Sequence, residues 1–152
     1  MRLVLPAVIL SSIVLSSAAL GAETRLKLES LPAAVQAAIK EHMKDTTISG
    51  ITSEKEKGKI TYEVEGKLNG KAHNLAFDQS GAIVEMEDEI DLDSVPAAAR
   101  SAIQKRVDGG TITMVEKVTM GSVVSYEATI KGKNGKSVEY AFNADGSRRK
   151  GD

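Results

Sequence analysis

A chain of 152 residues with 20 Lys plus Arg against 21 Asp plus Glu is nearly neutral, so it lacks the basic stripe with which a nucleic-acid binder neutralises phosphates. It contains no Cys, which excludes disulfides, thiolate metal sites, cysteine nucleophiles and a lipid-modified cysteine anchor. Hydrophobic residues make up 41% and charged ones 27%, the balance of an ordinary globular protein that must be held by its core alone.

The first element is an address. Arg2 supplies a positive n-region, residues 3–15 (LVLPAVILSSIVL) an apolar h-region, and Ser16, Ser17, Ala18, Ala19, Leu20, Gly21 and Ala22 the small-residue stretch that signal peptidase accepts. The pattern predicts a signal peptide over 1–22, cut after Gly21 or Ala22. The apolar run is shorter than the roughly 20 residues a membrane span needs, and nothing later resembles a span. The expected location is periplasmic or secreted, with no membrane span left after cleavage.

The rest of the chain repeats itself. Residues 30–39, SLPAAVQAAI, recur as 94–103, SVPAAARSAI; ITYE at 60–63 recurs as VSYE at 124–127; Asn69-Gly70-Lys71 recurs as Asn134-Gly135-Lys136; Ala76-Phe77-Asp78 with Gly81 recurs as Ala141-Phe142-Asn143 with Gly146. The offset is 64 early and 65 late (94 − 30 and 134 − 69), so one residue is inserted near the middle hairpin of the second copy. Self-similarity of this kind marks tandem structural units.

Each copy opens on a predicted helix. Ser30 and Ser94 are N-cap candidates, followed by Pro32 and Pro96 in the first turn. Leu31, Val35, Ala38, Ile39 and Met43 share one face at helical spacing, and Val95, Ala99, Ala102, Ile103 and Val107 do the same. His42 is expected on the apolar side of the first helix. Strands follow over 46–55 and 111–119, with turns at Lys57-Gly58 and Met120-Gly121. Ile60, Tyr62 and Val64, and later Val124, Tyr126, Ala128 and Ile130, alternate with polar residues as half-buried strands do. Asn69-Gly70 and Asn134-Gly135 are type I′ hairpin signals. His73, Leu75 and Phe77, matched by Val138, Tyr140 and Phe142, then alternate inward before a glycine turn and a short last strand.

The expected fold is therefore α+β: a tandem repeat of one helix followed by a four-stranded antiparallel sheet, with units at 28–89 and 90–150. Units of this size are marginal alone, so the two are expected to share a core or a sheet.

The motifs LPAAVQAAIKEH, ITYEVEGKLNGK and LAFDQSG resemble the PepSY-like domain family. That family is described as similar to the beta-lactamase inhibitory protein, itself a tandem helix-and-sheet repeat. The resemblance spans 28–149 in both copies. It implies an exported, non-enzymatic binding module without a cofactor, an inhibitor or modulator of an envelope or secreted enzyme such as a peptidase, with another envelope protein as partner.

No nucleophile, base and orienter combination can be assembled from the residues, and neither a Gly-x-Ser-x-Gly elbow nor a phosphate loop is present. No catalytic residue and no nucleic-acid partner is expected. His42 and His73 lie on different elements without a second ligand at metal-binding spacing. The binding surface would be the polar sheet face: Thr61, Glu63 and Glu65 in the first copy, Ser125, Glu127 and Thr129 in the second. The acidic run at 85–93, EMEDEIDLD, reads as a solvated edge strand and linker; were a cation or small ligand bound there instead, Glu87, Asp88 and Asp91 would serve it. All five aromatics, Tyr62, Phe77, Tyr126, Tyr140 and Phe142, fall in the inward phase. The polar face is thus expected to lack the aromatic anchors on which tight inhibitors lean.

Overall fold

The computed structural model describes residues 25–149; the signal-peptide reading of 1–22 lies outside them. A 3-10 turn at Leu28–Ser30 leads into helix α1 (Ala33–His42), followed by β1 (Thr47–Glu56), β2 (Lys59–Leu68), β3 (Lys71–Asp78) and β4 (Ile83–Glu89). A second 3-10 turn at Leu92–Ser94 leads into α2 (Ala97–Arg106), then β5 (Thr111–Met120), β6 (Val123–Lys131) and β7 (Ser137–Asn143).

All seven strands form one antiparallel sheet in sequence order, β1 to β7. This replaces the expected pair of helix-plus-four-strand units. Two local causes account for the difference. The acidic segment read as edge and linker is an inner strand, because β4 pairs with β5 from Met86↔Thr119 to Glu89↔Glu116. The fourth strand expected in the second half shrinks to a single bridge, Phe142↔Arg148. Its sequence after Gly146 is Ser-Arg-Arg-Lys, with no apolar side chain to bury.

Both helices lie against the same side of the sheet. Leu31, Val35, Ile39 and Met43 pack on Ile51, Tyr62, Val64, Leu75 and Phe77. Val95, Ala99 and Ile103 pack on Val115, Ala128 and Phe142. The apolar stripe of α1 is buried as read from the sequence, whereas in that of α2 Ala102 and Val107 are half-buried. The aromatics do point into these two cores, with Tyr126 and Tyr140 half-buried, but Val138, expected to point inward with them, is exposed. The cores are separate. Between them, on the helix-bearing side, His73 Nδ1 meets the Asp88 carboxylate at 2.6 Å. His42 is exposed rather than on the packed side.

Ser30 and Ser94 do not cap the helices. They sit in the 3-10 turns, and Pro32 and Pro96 occupy the N-cap positions. The Ser30 hydroxyl instead donates to the Lys27 carbonyl, 2.6 Å. Asn69 (φ 53) and Gly70 (φ 85) form the expected primed turn. Asn134-Gly135 does not: only Gly135 is left-handed, and the loop spans 132–136, where Gly132 N–H donates to Lys136 C=O at 2.8 Å. The extra length absorbs the inserted residue.

Both sheet edges are partly occupied by chain. The Leu26 N–H donates to Ile51 C=O on β1, and the Arg149 N–H donates to Ala141 C=O on β7, each at 2.9 Å.

The two glycine turns lock the helices to the sheet. Gly81 (φ +84) passes so close to α1 that a Cβ would stand 2.7 Å from Ala34 O; Gly146 (φ +83) makes the same approach to Ala98 O on α2. A side chain there meets both a left-handed backbone and a carbonyl that cannot yield without moving the helix. Gly81→Ala and Gly146→Ala should each lower stability by about 1–3 kcal/mol. Gly70→Ala, equally left-handed but with open space around it, should lower it by less. Urea denaturation of the three variants checks this, and equal losses would refute the close-approach account.

Candidate functional site: the open face of the sheet

Side chains alternate across a strand, so the face opposite the helices is set by the register. Going across, it carries Thr61, Glu63 and Glu65 on β2; Ala72, Asn74 and Ala76 on β3; and Glu85, Glu87 and Glu89 on β4. It continues with Glu116 and Val118 on β5, Ser125, Glu127 and Thr129 on β6, and Glu139, Ala141 and Asn143 on β7. All six sequence-predicted face residues are here. They do not form one patch: Thr61, Glu63 and Glu65 are separated from Ser125, Glu127 and Thr129 by three intervening strands.

Three cross-strand rows organise the face. Glu63 opposes Ala76, which opposes Glu85. Asn74 opposes Glu87, then Val118, Ser125 and Asn143 follow in line. Glu89 opposes Glu116, which opposes Glu127. The last row sets three carboxylates side by side at a Cβ spacing of about 5 Å, an arrangement that like-charge repulsion makes unfavourable.

The centre of this face is shielded although no described helix covers it. Glu85 is 5% exposed, Glu116 6% and Ser125 1%, so Ser125 is a floor residue and not the solvent-facing one expected. Ala76 and Val118 are also buried. Side chains of β4 bond across to β3 on this face. Glu89 Oε2 accepts from the Ala72 N–H at 2.8 Å, and Asn74 Nδ2 donates to Glu87 Oε2 at 3.4 Å. Glu116 Oε1 is buried and has no hydrogen-bond partner.

Burial first, then the charges of Glu87, Glu127 and Glu63, pushes the Glu85 carboxyl up to about 8 from an ordinary 4.5; Arg149 opposes the rise. Burial, with Glu87, Glu127, Glu89 and Glu63 around it, pushes Glu116 up to about 7. Glu139 is pushed up to about 8 by burial, then by its hydrogen bond to Glu127 and that neighbour's charge. The glutamates of β2, β4, β5, β6 and β7 thus act on one another as a single electrostatic group.

The other carboxylates of the acidic run go elsewhere. Asp88 faces the helices and binds His73, and Asp91 is exposed and pairs with Lys71 Nζ at 2.9 Å. Glu87, Asp88 and Asp91 therefore do not converge. Sequence reading missed Glu85, Glu116 and Glu139. The sequence carried no distinguishing signal for them: Glu116 stands beside Lys117 in the strand run ITMVEKV, as a surface charge would.

These shifts fix the sign of a pH dependence. A carboxyl whose folded value is raised holds its proton in the folded state and releases it on unfolding. Its stability contribution is therefore complete below about 4.5 and is lost as pH rises through 7 to 8. The melting temperature should fall between pH 5 and pH 9. Glu116→Gln should raise stability at pH 8.5 by roughly 1–2 kcal/mol, allowing for solvent screening at the face, and flatten the profile. Calorimetric melts across this range test it, and an unchanged slope in the variant would refute the assignment.

No family model and no curated protein matches the chain. Solved structures do. A protein of Bacteroides eggerthii proposed to be periplasmic aligns with a TM-score of 0.62 and 22% identity over 79% of this chain and 86% of its own. A DUF2874 family protein of Bacteroides uniformis gives 0.60 and 22%, over 78% and 86%. A BLIP-like protein of Bacteroides fragilis gives 0.54 and 18%, over 79% and 84%. The chain thus shares the BLIP-like fold, here one broad antiparallel sheet with the described helices on one side.

Proposed function

We propose that this chain is an exported, non-catalytic binding module that works in the periplasm by presenting the open sheet face to another protein, as an inhibitor or modulator of an envelope enzyme. The single observation that carries the reading is the face itself. The described helices pack on one side of the sheet, and the other side gathers seven glutamates, Glu63, Glu85, Glu87, Glu89, Glu116, Glu127 and Glu139, around a buried floor, three of them with carboxyls pushed up by burial and by their neighbours' charges. A fold gains nothing from stacking like charges in one row. Departures of this kind from local consistency are expected where a surface is kept for a ligand. The signal-peptide pattern, and the location proposed for the Bacteroides eggerthii neighbour, support the compartment. The absence of a nucleophile–base arrangement in the sequence supports binding over catalysis.

The face reading is tested by blocking the surface without changing its charge. Mature protein carrying Thr61→Trp and Thr129→Trp, both half-buried on this face, should lose at least tenfold of any envelope protein it captures. Glu41→Trp, on the exposed side of α1, should retain it. Capture that survives the double block, or that is lost equally in the α1 variant, would sink the proposal.

A further inference from the structure

The Glu89–Glu116–Glu127 row is a half-made recognition site. Glu116 lies between its two like-charged neighbours in the ladder, and is more than nine-tenths buried with Oε1 unpartnered. A buried oxygen without a donor from the protein is a standing cost in the free protein. It is relieved when a donor carrying positive charge arrives from above the face. Beside the row the floor of Val118, Ser125 and Ala76 is buried as well, while Glu89 and Glu127 at the two ends of the row are half-exposed, so an incoming group meets these two first.

The spacing says what kind of cation fits. A divalent metal needs several oxygens converging within about 2.0–2.6 Å of one point. No described group of three acidic or histidine residues does this. The carboxylates stand instead about 5 Å apart across the strands. Along β4, Glu85, Glu87 and Glu89 recur at every second residue, or about 7 Å. That is also the repeat of alternate side chains in an extended peptide. Ammonium or guanidinium groups, each with several N–H donors, suit carboxylates at such separations.

Building on the binding-face reading, we propose that the partner is recognised through an extended basic segment. Lysine or arginine side chains at alternate positions would engage this face, one of them donating to Glu116 Oε1 between Glu89 and Glu127. Recognition is then primarily a matter of charge and spacing, which accommodates the lack of aromatic residues on the face. It also makes association steeply sensitive to salt.

The test uses an octapeptide of alternating lysine and threonine as the probe, with fluorescence anisotropy on the mature protein. Binding should weaken as salt rises. Glu116→Gln and Glu127→Gln should each weaken it at least tenfold, while Glu41→Gln on the exposed side of α1 leaves it unchanged. Glu116→Gln relieves repulsion, so loss of fold is not expected to mask the result, and a thermal melt checks this. An alternating glutamate–threonine peptide should not bind. Absence of binding by the lysine peptide, binding unaffected by either row variant, or binding of spermine or calcium chloride in place of the peptide would overturn the proposal. Capture of an envelope partner that is abolished by the neutral Thr61→Trp/Thr129→Trp block yet indifferent to Glu116→Gln would overturn the basic-segment assignment alone. The binding-face reading would then stand.

Discussion

The pairing of β4 with β5 is the constraint on which the rest of the molecule depends. Only four residue pairs make it, Met86↔Thr119 to Glu89↔Glu116. They turn two helix-led halves into one sheet. They also set Glu89 against Glu116, and so complete the row that ends at Glu127. Because side chains alternate with a period of two, a slip of one residue here would turn Glu85, Glu87 and Glu89 toward the helices. Met86 and Asp88 would go to the open side, and the contact with His73 would be lost. Neither core could accept three unpaired carboxylates. The apolar demand of the helix side therefore enforces the acidic character of the other.

That division explains why the two cores need not merge. Each helix closes its own cluster over its own strands. The seam between them carries His73 and Asp88 at hydrogen-bonding distance. The halves are joined by backbone pairing, without a shared block of apolar side chains. Each glycine turn brings a strand connection against the first turn of the helix that covers it, at Ala34 and at Ala98. The contact is local, so each half retains its own clamp.

Much of this was legible in the sequence, and the boundary of what was legible is physical. The helix stripes Val35–Ala38–Ile39 and Ala99–Ile103, the inward aromatics, and the Asn69-Gly70 turn are short-range patterns. The number of strands in the second half was not legible, since whether residues after Gly146 join the sheet depends on what they can bury. The acidic run was misread because its two parities, Glu85-Glu87-Glu89 and Met86-Asp88, both contain charge. The strand alternation is therefore masked until β3 and β5 are known to flank it. Ser125 and Glu116 were unreadable for the same reason: whether a residue on an uncovered face meets water depends on its cross-strand neighbours, and those are fixed by non-local register.

The occupied edges have a consequence for how copies of this protein meet one another. A broad sheet with free outer strands is a template for further strands, and thereby for fibrous growth. Here the β1 edge is met by the Leu26 amide, and the β7 edge by the Arg148–Arg149 segment. The charges of that segment also disfavour docking of an identical neighbour. Lateral polymerisation is thereby discouraged at both ends of the sheet, and copies of the chain are kept from adding to one another edge to edge.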